Sequence, residues 1–248
     1  MTDVDFGFRK VSSEDKPELV GQVFRNVASR YDVMNDLMSL GTHRLLKRAV
    51  VEMMAVRPGH RVLDLAGGTG DMSALISRAV GAAGRVVLTD PNQAMMSVGR
   101  DRLLDEGAAN VVFCAAPGEA LPFADASFDA ACISFGLRNF TDKDAGLAEL
   151  LRVLVPGASL TVLEFSHPRH PAFDRAYRAF QGLWPLAGRA LVGDAQPYQY
   201  LVESIRVHPS QEALAQMFED AGFADVVCHD LLGGVAAAHR GTKPAASG

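Results

Sequence analysis

The run RVLDLAGGTGD at residues 61–71 constrains the fold of this chain more than any other stretch. An apolar run of β type ends at Asp64 and opens into a turn that contains Gly67, Gly68 and Gly70. Glycine has no side chain, so the backbone can turn tightly and a ligand can approach the N–H groups where the next helix begins. The run therefore predicts a strand, a ligand-binding turn and a helix, as in a nucleotide-type cofactor site.

Asp64 helps to choose between the ligands that such a turn can bind. A carboxylate there would repel a pyrophosphate and attract an ammonium or a sulfonium, which favours S-adenosylmethionine over NAD. NAD stays open as an alternative, because GTGDMS at 68–73 lacks only the last glycine of G-x-G-x-x-G. Asp90 also lies at the spacing expected of a ribose-binding acid. A tight turn that binds no ligand is the third interpretation.

Composition limits the class of protein. The chain has 248 residues, of which 48% are hydrophobic, and this suits one large α/β domain. The net charge is −5 and no run is rich in lysine or arginine, so we expect no nucleic-acid partner.

Cys114, Cys132 and Cys228 show neither disulfide nor zinc spacing, and we expect no metal. No apolar stretch is long enough for a membrane span, and the N-terminus lacks a signal sequence, which predicts a cytoplasmic or peripheral protein.

The hydrophobic periodicity predicts an α/β fold with a doubly wound, mostly parallel sheet. The clearest helix covers 143–154 and stops at Pro156. Two later runs, at 225–230 and 234–239, are close enough to form a terminal antiparallel pair. The runs of β type that should form the parallel part lie at 61–66, 85–89, 111–115, 128–134 and 159–165.

Two polar residues end predicted strands beside the glycine turn. Asp90 closes the second strand, where its carboxylate can accept hydrogen bonds from ribose hydroxyls, although a simple helix N-cap would explain it too. Ser134 ends the fourth strand and faces the same crevice.

Six strings of the chain allow a comparison with known families. They are YDVMNDLMSLGTH (31–43), DLAGGTGD (64–71), SFGLRN (134–139), LEFS (163–166), YLVESIRVHP (200–209) and AHRG (238–241). These strings closely resemble the ubiquinone/menaquinone biosynthesis C-methyltransferase family. The likeness runs from about residue 6 onward, and its two most specific strings lie at 31–43 and 134–139. It implies a Rossmann-like class I methyltransferase fold with a seven-stranded sheet. It also implies methyl transfer from S-adenosylmethionine to a ring carbon of a prenylated quinol, either 2-polyprenyl-6-methoxy-1,4-benzoquinol or demethylmenaquinol.

By matching positions, the resemblance implies which residues contact the donor. Thr69, Asp90 and Ser134 would do so, together with the loop at Pro117 and Gly118. The glycine turn with Asp64, Gly68 and Gly70 would complete the site. Family members carry Asn or Asp followed by Ala where this chain has Pro117 and Gly118. A proline cannot bond the adenine amino group, so backbone N–H groups and apolar contacts would hold adenine here.

The reaction itself requires a group that stabilises a phenolate. A phenol with the pKa of tyrosine costs about 4 kcal/mol to ionise at pH 7. Arg138 and Asn139 follow Ser134 directly. We expect Arg138 to stabilise the developing oxyanion, with a bound water taking the proton, and Asn139 to orient the hydroxyl. Alternatively, Arg138 pairs with Asp142 across the loop.

The acceptor side of the site is less defined by the sequence. We expect a helical N-terminal segment at 1–55 to cover the site, with Tyr31 and Asn35 toward the substrate. An α/β domain at 56–241 would follow, with a helical insertion at about 170–205. Tyr198 and Tyr200 of this insertion could border the quinol pocket, although the sequence does not place them. A disordered tail is expected at 242–248. His43, His167 and His208 are candidate general bases. The sequence reveals no orienting partner for any of them.

A prenyl tail implies a membrane partner, because each buried methylene is worth about 0.8 kcal/mol. Residues 172–192 interleave aromatic and aliphatic side chains with arginines, which suits an interfacial helix at the inner face of the membrane or a helix that covers one end of the sheet. A homodimer and a quinone-biosynthesis complex are both compatible with the chain. Two other functions stay open: an NAD-dependent oxidoreductase and a non-catalytic quinone-binding partner.

Overall fold

A computed structural model shows a seven-stranded α/β sheet with a small N-terminal hairpin beside it. It describes residues 3–28, 35–36, 38–39 and 41–245. The strands are β1 (Asp3–Phe6), β2 (Arg9–Ser12), β3 (Arg61–Leu65), β4 (Arg85–Thr89), β5 (Val111–Cys114), β6 (Phe128–Ser134), β7 (Leu154–Phe165), β8 (Ala224–Leu231) and β9 (Ala236–Thr242). The helices are α1 (Lys16–Val27), α2 (Thr42–Met53), α3 (Asp71–Val80), α4 (Gln93–Asp105), α5 (Lys143–Val153), α6 (Pro171–Gln181), α7 (Trp184–Val192), α8 (Gln196–Val207) and α9 (Gln211–Asp220).

The strand order of the large sheet is β5-β4-β3-β6-β7-β9-β8. The first five strands are parallel, and β9 lies antiparallel to both β7 and β8. This confirms the predicted fold class, with its terminal antiparallel pair. The order reverses between β3 and β6, and ligands of such sheets bind in the crevice at this point, beyond the carboxyl ends of the strands.

The sheet is buried on both faces, which explains the continuous apolar runs in its sequence. One face packs Leu63, Ile133 and Leu147 together with side chains of α9. The other packs Val62, Ile76 and the rest of a cluster under α2, α3 and α4. Alternate residues of one strand thus serve two cores, and both hold β3 and β6 in place beneath the glycine turn.

Strand β7 begins earlier than the sequence predicts. The predicted strand begins at residue 159, whereas β7 starts at Leu154, directly after α5. Pro156 and Gly157 therefore lie inside the strand. Its register with β6 jumps in this interval, because Phe128 pairs with Leu154 and Ala130 with Ser159. The proline and glycine therefore form a bulge, a position where a strand tolerates both.

Both ends of the chain differ from the expectation. The N-terminal segment opens with the β1–β2 hairpin, in which Gly7 takes the turn at φ 59° and Phe6 is buried. At the other end, β9 continues through Thr242, and the Lys243 N–H donates to the Ala158 carbonyl at 2.8 Å. The pairing thus extends into the segment expected as a disordered tail, and residues 246–248 lie outside the described part.

Helices α6, α7 and α8 occupy the interval between β7 and α9 and build a third cluster. Tyr177, Trp184 and Tyr198 are buried there against one another and against further side chains of α8. Leu183 and Leu186 point outward, with 58% and 68% of their surface exposed. The segment 172–192 thus has an inner and an outer apolar face. Within the described residues, none of the helices combines the length and the apolar character that a membrane span requires.

Candidate functional site

The glycine turn after β3 is held from two sides. The Gly67 N–H donates to the Thr89 carbonyl at 3.2 Å, and the Gly70 N–H donates to the Gly67 carbonyl at 2.8 Å. Gly70 adopts φ 80°, a left-handed conformation that favours glycine, and opens α3. A Cβ at Gly99 of α4 would lie 2.9 Å from the Thr69 carbonyl carbon, so α4 packs directly on the turn. Thr69 itself is buried.

Asp64 is a buried carboxylate at the base of this turn. Its Oδ2 accepts from Ser73 Oγ at 2.6 Å, and the thiol of the buried Cys132 lies 3.5 Å from its Oδ1. Burial raises the pKa of Asp64 to about 6, although Ser73 and the charge of Lys47 act against the rise. Lys47 is itself paired with Asp71 at 2.7 Å. Among the described residues no cation forms an ion pair with Asp64, and a positively charged ligand in the turn would supply one.

Asp90 ends β4 opposite the turn, as the sequence predicts. Its Oδ2 accepts from the Gly68 N–H at 3.0 Å and its Oδ1 from the Asn92 N–H at 2.8 Å. Burial raises the pKa of Asp90 to about 6, with repulsion from Asp64 adding to it. The helix N-cap of α4 is Asn92 and not Asp90, so the simple cap interpretation of Asp90 is wrong. Each carboxylate oxygen keeps a lone pair for a ligand hydroxyl.

Ser134 ends β6 and lies across the crevice from Asp90. Its Oγ is buried and has no hydrogen-bond partner among the described residues. The residue that follows, Phe135, has φ 55°, and Ala66 after β3 has φ 57°. Such values are strained for side chains with a Cβ, and they recur at ligand sites. An orphaned hydroxyl between two strained strand ends fits a polar ligand, which would satisfy it.

The loop at Pro117 and Gly118 lies beside the loop that carries the proposed catalytic residues. Gly118 is buried, and a Cβ there would lie 2.3 Å from the Phe140 ring, whereas Pro117 is exposed. Glu119 Oε1 accepts from the Thr141 N–H at 2.8 Å. Close packing therefore requires the glycine, and the hydrogen bond ties this loop to the loop after β6.

Arg138 forms a buried ion pair with Glu164 near the end of β7. Its guanidinium NH1 lies 3.0 Å from Glu164 Oε1, and both side chains are almost fully buried. The same NH1 donates to the Phe135 carbonyl, and the Arg138 Nε is buried with no partner among the described residues. The alternative pairing with Asp142 is wrong, because Asp142 accepts from the Ala145 N–H and caps α5.

Asn139 and Tyr200 meet in the structure. The Tyr200 hydroxyl donates to Asn139 Oδ1 at 3.1 Å, and its ring stacks on Phe6 at 4.5 Å between centroids. Burial raises the pKa of Tyr200 to about 12, while the charge of Arg138 acts against the rise. Tyr200 is therefore a neutral donor, and its bond fixes the Asn139 amide so that the Nδ2 group is left to donate elsewhere.

Sequence reasoning missed two residues of this site. Glu164 belongs to the string LEFS at 163–166 but was assigned no role. A charged residue inside an apolar strand is itself a signal of a functional position. Lys16 at the start of α1 is buried, and its Nζ donates to the Phe140 carbonyl at 2.7 Å. Burial, reinforced by the charge of Lys143, lowers the pKa of Lys16 to about 8. No local pattern marks Lys16 as part of the site.

The remaining predicted residues are Tyr31, Asn35 and the three candidate bases. Tyr31 lies outside the described residues, and the Asn35 carbonyl accepts from Ser39 Oγ at 2.6 Å. Among the candidate bases, His43 does have an orienting partner, since its Nε2 lies 2.8 Å from the carboxylate of Asp36. His167 Nε2 lies 3.4 Å from the carbonyl oxygen of His208, the third candidate base.

That third candidate, His208, is a neutral imidazole in the structure. Burial, reinforced by the charges of Lys143 and Arg138, holds its pKa well below the usual range. Neither ring nitrogen of His208 has a partner among the described residues.

The described residues contain no group of three or more His, Cys, Asp or Glu side chains that could hold a metal ion.

The arrangement combines a cradle for a polar ligand, built from Asp64, Asp90 and Ser134, with a buried cation and an amide in the next loop. Such a pairing can position two reactants and stabilise negative charge on one of them.

Comparison with known proteins gives a consistent result over nearly the whole chain. The profile of the ubiE/COQ5 methyltransferase family matches residues 9–243. A relative from Pseudomonas putida, described as the ubiquinone/menaquinone biosynthesis C-methyltransferase UbiE, is 51% identical over 241 residues, which cover 96% of this chain and 94% of the relative. A relative from Ectopseudomonas mendocina with the same description is 52% identical over 241 residues, with the same coverage.

Solved structures resemble the fold at lower sequence identity. A SAM-dependent methyltransferase from Aquifex aeolicus superposes with a TM-score of 0.61 at 18% identity, covering 85% of this chain and 96% of that one. The cyclase SpnF superposes with a TM-score of 0.60 at 21% identity, covering 91% and 95%. These likenesses concern the fold alone, and a cyclase among them shows that the fold does not decide the reaction.

Proposed function

This chain belongs to the ubiE/COQ5 methyltransferase family, and from this premise we propose that it methylates a ring carbon of a prenylated quinol with S-adenosylmethionine. The quinol is 2-polyprenyl-6-methoxy-1,4-benzoquinol or demethylmenaquinol, and the reaction belongs to ubiquinone/menaquinone biosynthesis. The observation that carries the proposal is that Arg138 and Asn139 directly follow Ser134, the residue whose orphaned hydroxyl faces the donor cradle.

The donor side of the proposal rests on charge and on unsatisfied polar atoms. When bound, S-adenosylmethionine supplies an electrophilic methyl group on a sulfonium. Asp64 offers a buried negative charge to the cationic end of the donor, and Asp90 accepts from its ribose hydroxyls. Ser134 Oγ gains the partner that it otherwise lacks. Gly118 allows close approach of the loop, and Pro117 contributes its backbone and apolar surface instead of a side-chain hydrogen bond.

The acceptor side rests on the loop after β6. Arg138 places a fixed cation where the quinol oxygen becomes negative, and this favours the phenolate that makes the neighbouring ring carbon nucleophilic. Glu164 holds the guanidinium in place through NH1 and leaves its other edge for the oxygen or for a water that accepts the proton. Asn139, oriented by Tyr200, donates to the same hydroxyl group. His208 is the second candidate for the proton acceptor, but it would be a weak base because burial holds its pKa well below the usual range, so the water is preferred.

The N-terminal segment at 1–55 acts as the cover of the acceptor site. Two contacts support this role: Lys16 donates to the Phe140 carbonyl, and Phe6 stacks on Tyr200. Both join the segment to residues next to Asn139. Tyr31 and Asn35 complete the cover in this proposal.

A peripheral position at the inner face of the membrane would bring the enzyme to its prenylated substrate. The outer face of α6 and α7 supports it, because Leu183 and Leu186 are exposed beside Arg178 and Arg189. Apolar side chains with interleaved arginines suit the boundary between headgroups and acyl chains. That the chain forms a homodimer or joins a larger biosynthetic complex is still a prediction.

The direct test is to incubate the purified protein with labelled S-adenosylmethionine and, separately, a short-tailed benzoquinol and a short-tailed naphthoquinol under reducing conditions. We expect mass spectrometry to locate one added methyl on a ring carbon of one or both products. No product from either quinol, despite saturable donor binding, would contradict the proposal. Such a result would favour the non-catalytic binding partner, whereas hydride transfer with NAD would favour the oxidoreductase.

A further inference from the structure

A cavity of about 360 Å³ lies between the β1–β2 hairpin, α1 and α8. Its apolar wall consists of Phe6, Phe8, Leu19, Val23, Pro197 and Tyr200. The volume falls within the range of roughly 300–1,000 Å³ that is typical of small-molecule sites. The donor cradle contributes no residue to this wall, so the cavity is separate from the glycine turn.

Four of the five polar residues that line the cavity are engaged with partners of their own, and the fifth is Gln196. Glu203 Oε2 accepts from the Phe8 N–H at 3.2 Å, and its Oε1 accepts from Gln199 Nε2 at 2.9 Å. The Gln22 amide donates to a side chain of its own helix at 3.2 Å. The Arg9 guanidinium lies over the Phe6 ring, 5.1 Å from its centroid. The groups left to a ligand are therefore mainly carbon, which suits a hydrocarbon occupant.

Tyr200 connects this cavity to the proposed reaction centre. One face of its ring belongs to the cavity wall and stacks on Phe6, while its hydroxyl donates to Asn139 Oδ1 at 3.1 Å. A ligand with its polar ring at Asn139 and an apolar substituent beside Tyr200 would extend into the cavity. The cavity is thus one aromatic side chain away from the loop that carries Arg138.

The hairpin turn lies at the edge of the cavity and exposes an aromatic side chain. Phe8 is 59% exposed and is followed by Arg9 and Lys10. An exposed aromatic ring next to two basic residues suits contact with an anionic bilayer surface. A hydrocarbon chain could pass from the bilayer along Phe8 into the cavity without crossing water.

We propose that this cavity binds the first isoprene units of the polyprenyl tail of the acceptor, and that it sets the preference for tailed over tail-less quinols. The inference rests on the proposed function, because it assumes a prenylated quinol at Asn139. The chemistry of the occupant follows from the apolar wall: a run of hydrocarbon units without hydrogen-bonding groups.

The test compares Leu19→Trp and Val23→Trp, which fill the cavity, with the wild-type protein and with the control Leu104→Trp. Leu104 is exposed on α4, away from the cavity. Each protein is assayed with a tail-less quinol and with quinols that carry increasing numbers of isoprene units. We expect KM of the wild type to fall as the tail lengthens. In both cavity variants the tailed-to-tail-less ratio of kcat/KM should drop about ten-fold or more, a change typical of a filled apolar pocket.

Donor affinity and the free energy of unfolding, measured for all four proteins, report whether a variant is intact. The Leu104→Trp control should keep the wild-type ratio. If the wild type methylates tailed and tail-less quinols with equal KM, or if both folded variants keep its preference, the tail site is refuted while the methyltransferase function stands. If the wild type methylates none of the quinols, the proposed function itself fails.

Discussion

Arg138 and Glu164 can contribute to stability, to catalysis or to both, and paired replacements separate the two roles. Arg138→Met and Glu164→Gln each leave one buried charge without its partner, which should cost about 3–5 kcal/mol of unfolding free energy. The double variant removes both charges, so most of that loss should be recovered. If Arg138 stabilises the phenolate as proposed, the kcat of the double variant should nevertheless stay about a hundred- to a thousand-fold low, because that cation is gone. Urea unfolding and turnover of the quinol measure the two effects.

The exposed pair Arg78 and Glu106, 2.8 Å apart, provides the control. Neutralising both should change stability by about 1 kcal/mol or less and leave turnover intact, since exposed ion pairs contribute little. A buried double variant that regains both stability and turnover would show that Arg138 has a structural role only.

The sequence predicts the position of several site residues because neighbouring parallel strands end at one edge of a sheet. Asp64 lies near the end of β3, Asp90 directly follows β4 and Ser134 ends β6, and these three strands are neighbours in the sheet. Their roles toward ligands stay predictions. Glu164 and Lys16 could not be placed in the same way, since the partner of Lys16 is 124 residues away. Such contacts depend on tertiary packing, and no local period encodes them.

The elements themselves were predictable wherever burial dictates the pattern. β4 and β6 have the predicted bounds, because both faces of these strands are covered and the apolar run ends where the coverage ends. The hairpin was missed because its strands have four residues each and carry charges at half of their positions. Its formation depends on Phe6 packing on Tyr200, which belongs to a helix far along the chain.

At the level of elements, α1 should control the order of the loop after β6 through Lys16. Replacement by Met removes the donor of the buried Phe140 carbonyl, and an unsatisfied buried group costs about 1–3 kcal/mol. We expect faster hydrogen exchange across residues 135–142 and a larger loss in acceptor kcat/KM than in donor affinity. Lys10→Met is the matched control for hydrogen exchange alone, because Lys10 is an exposed lysine of the hairpin paired with Asp5 at 2.8 Å. Equal exchange in Lys16→Met and wild type would show that α1 does not restrain the loop.

At the scale of the whole molecule, three carboxylates at the donor site give opposite contributions to the pH dependence of stability. Burial raises the pKa of Asp64 and of Asp90 to about 6, so the folded protein binds protons more tightly there than the unfolded chain. These two groups therefore lower the free energy of unfolding as pH rises from about 4 to about 6. Lys47 and Arg102 outweigh burial at Asp71 and lower its pKa to about 2. The stabilisation from Asp71 is present above about pH 4 and is lost toward pH 2.

Near neutral pH the ligand-free protein thus bears the cost of two buried carboxylates, and a cationic donor would offset part of it. Asp64→Asn should raise the unfolding free energy by about 1–3 kcal/mol at about pH 7.5. The gain should be small at about pH 4, where Asp64 is protonated in the folded protein and about half protonated in the unfolded chain. Donor affinity should fall in the same variant, because the charge that attracts the sulfonium or ammonium is lost. Urea unfolding at both pH values, together with donor titration, measures these effects. Asp105→Asn, on the exposed side of α4, is the control and should show neither. An Asp64→Asn variant whose stability difference from wild type is the same at both pH values would mean that this carboxylate carries no burial cost, and the reason for a cationic ligand at the turn would fall with it.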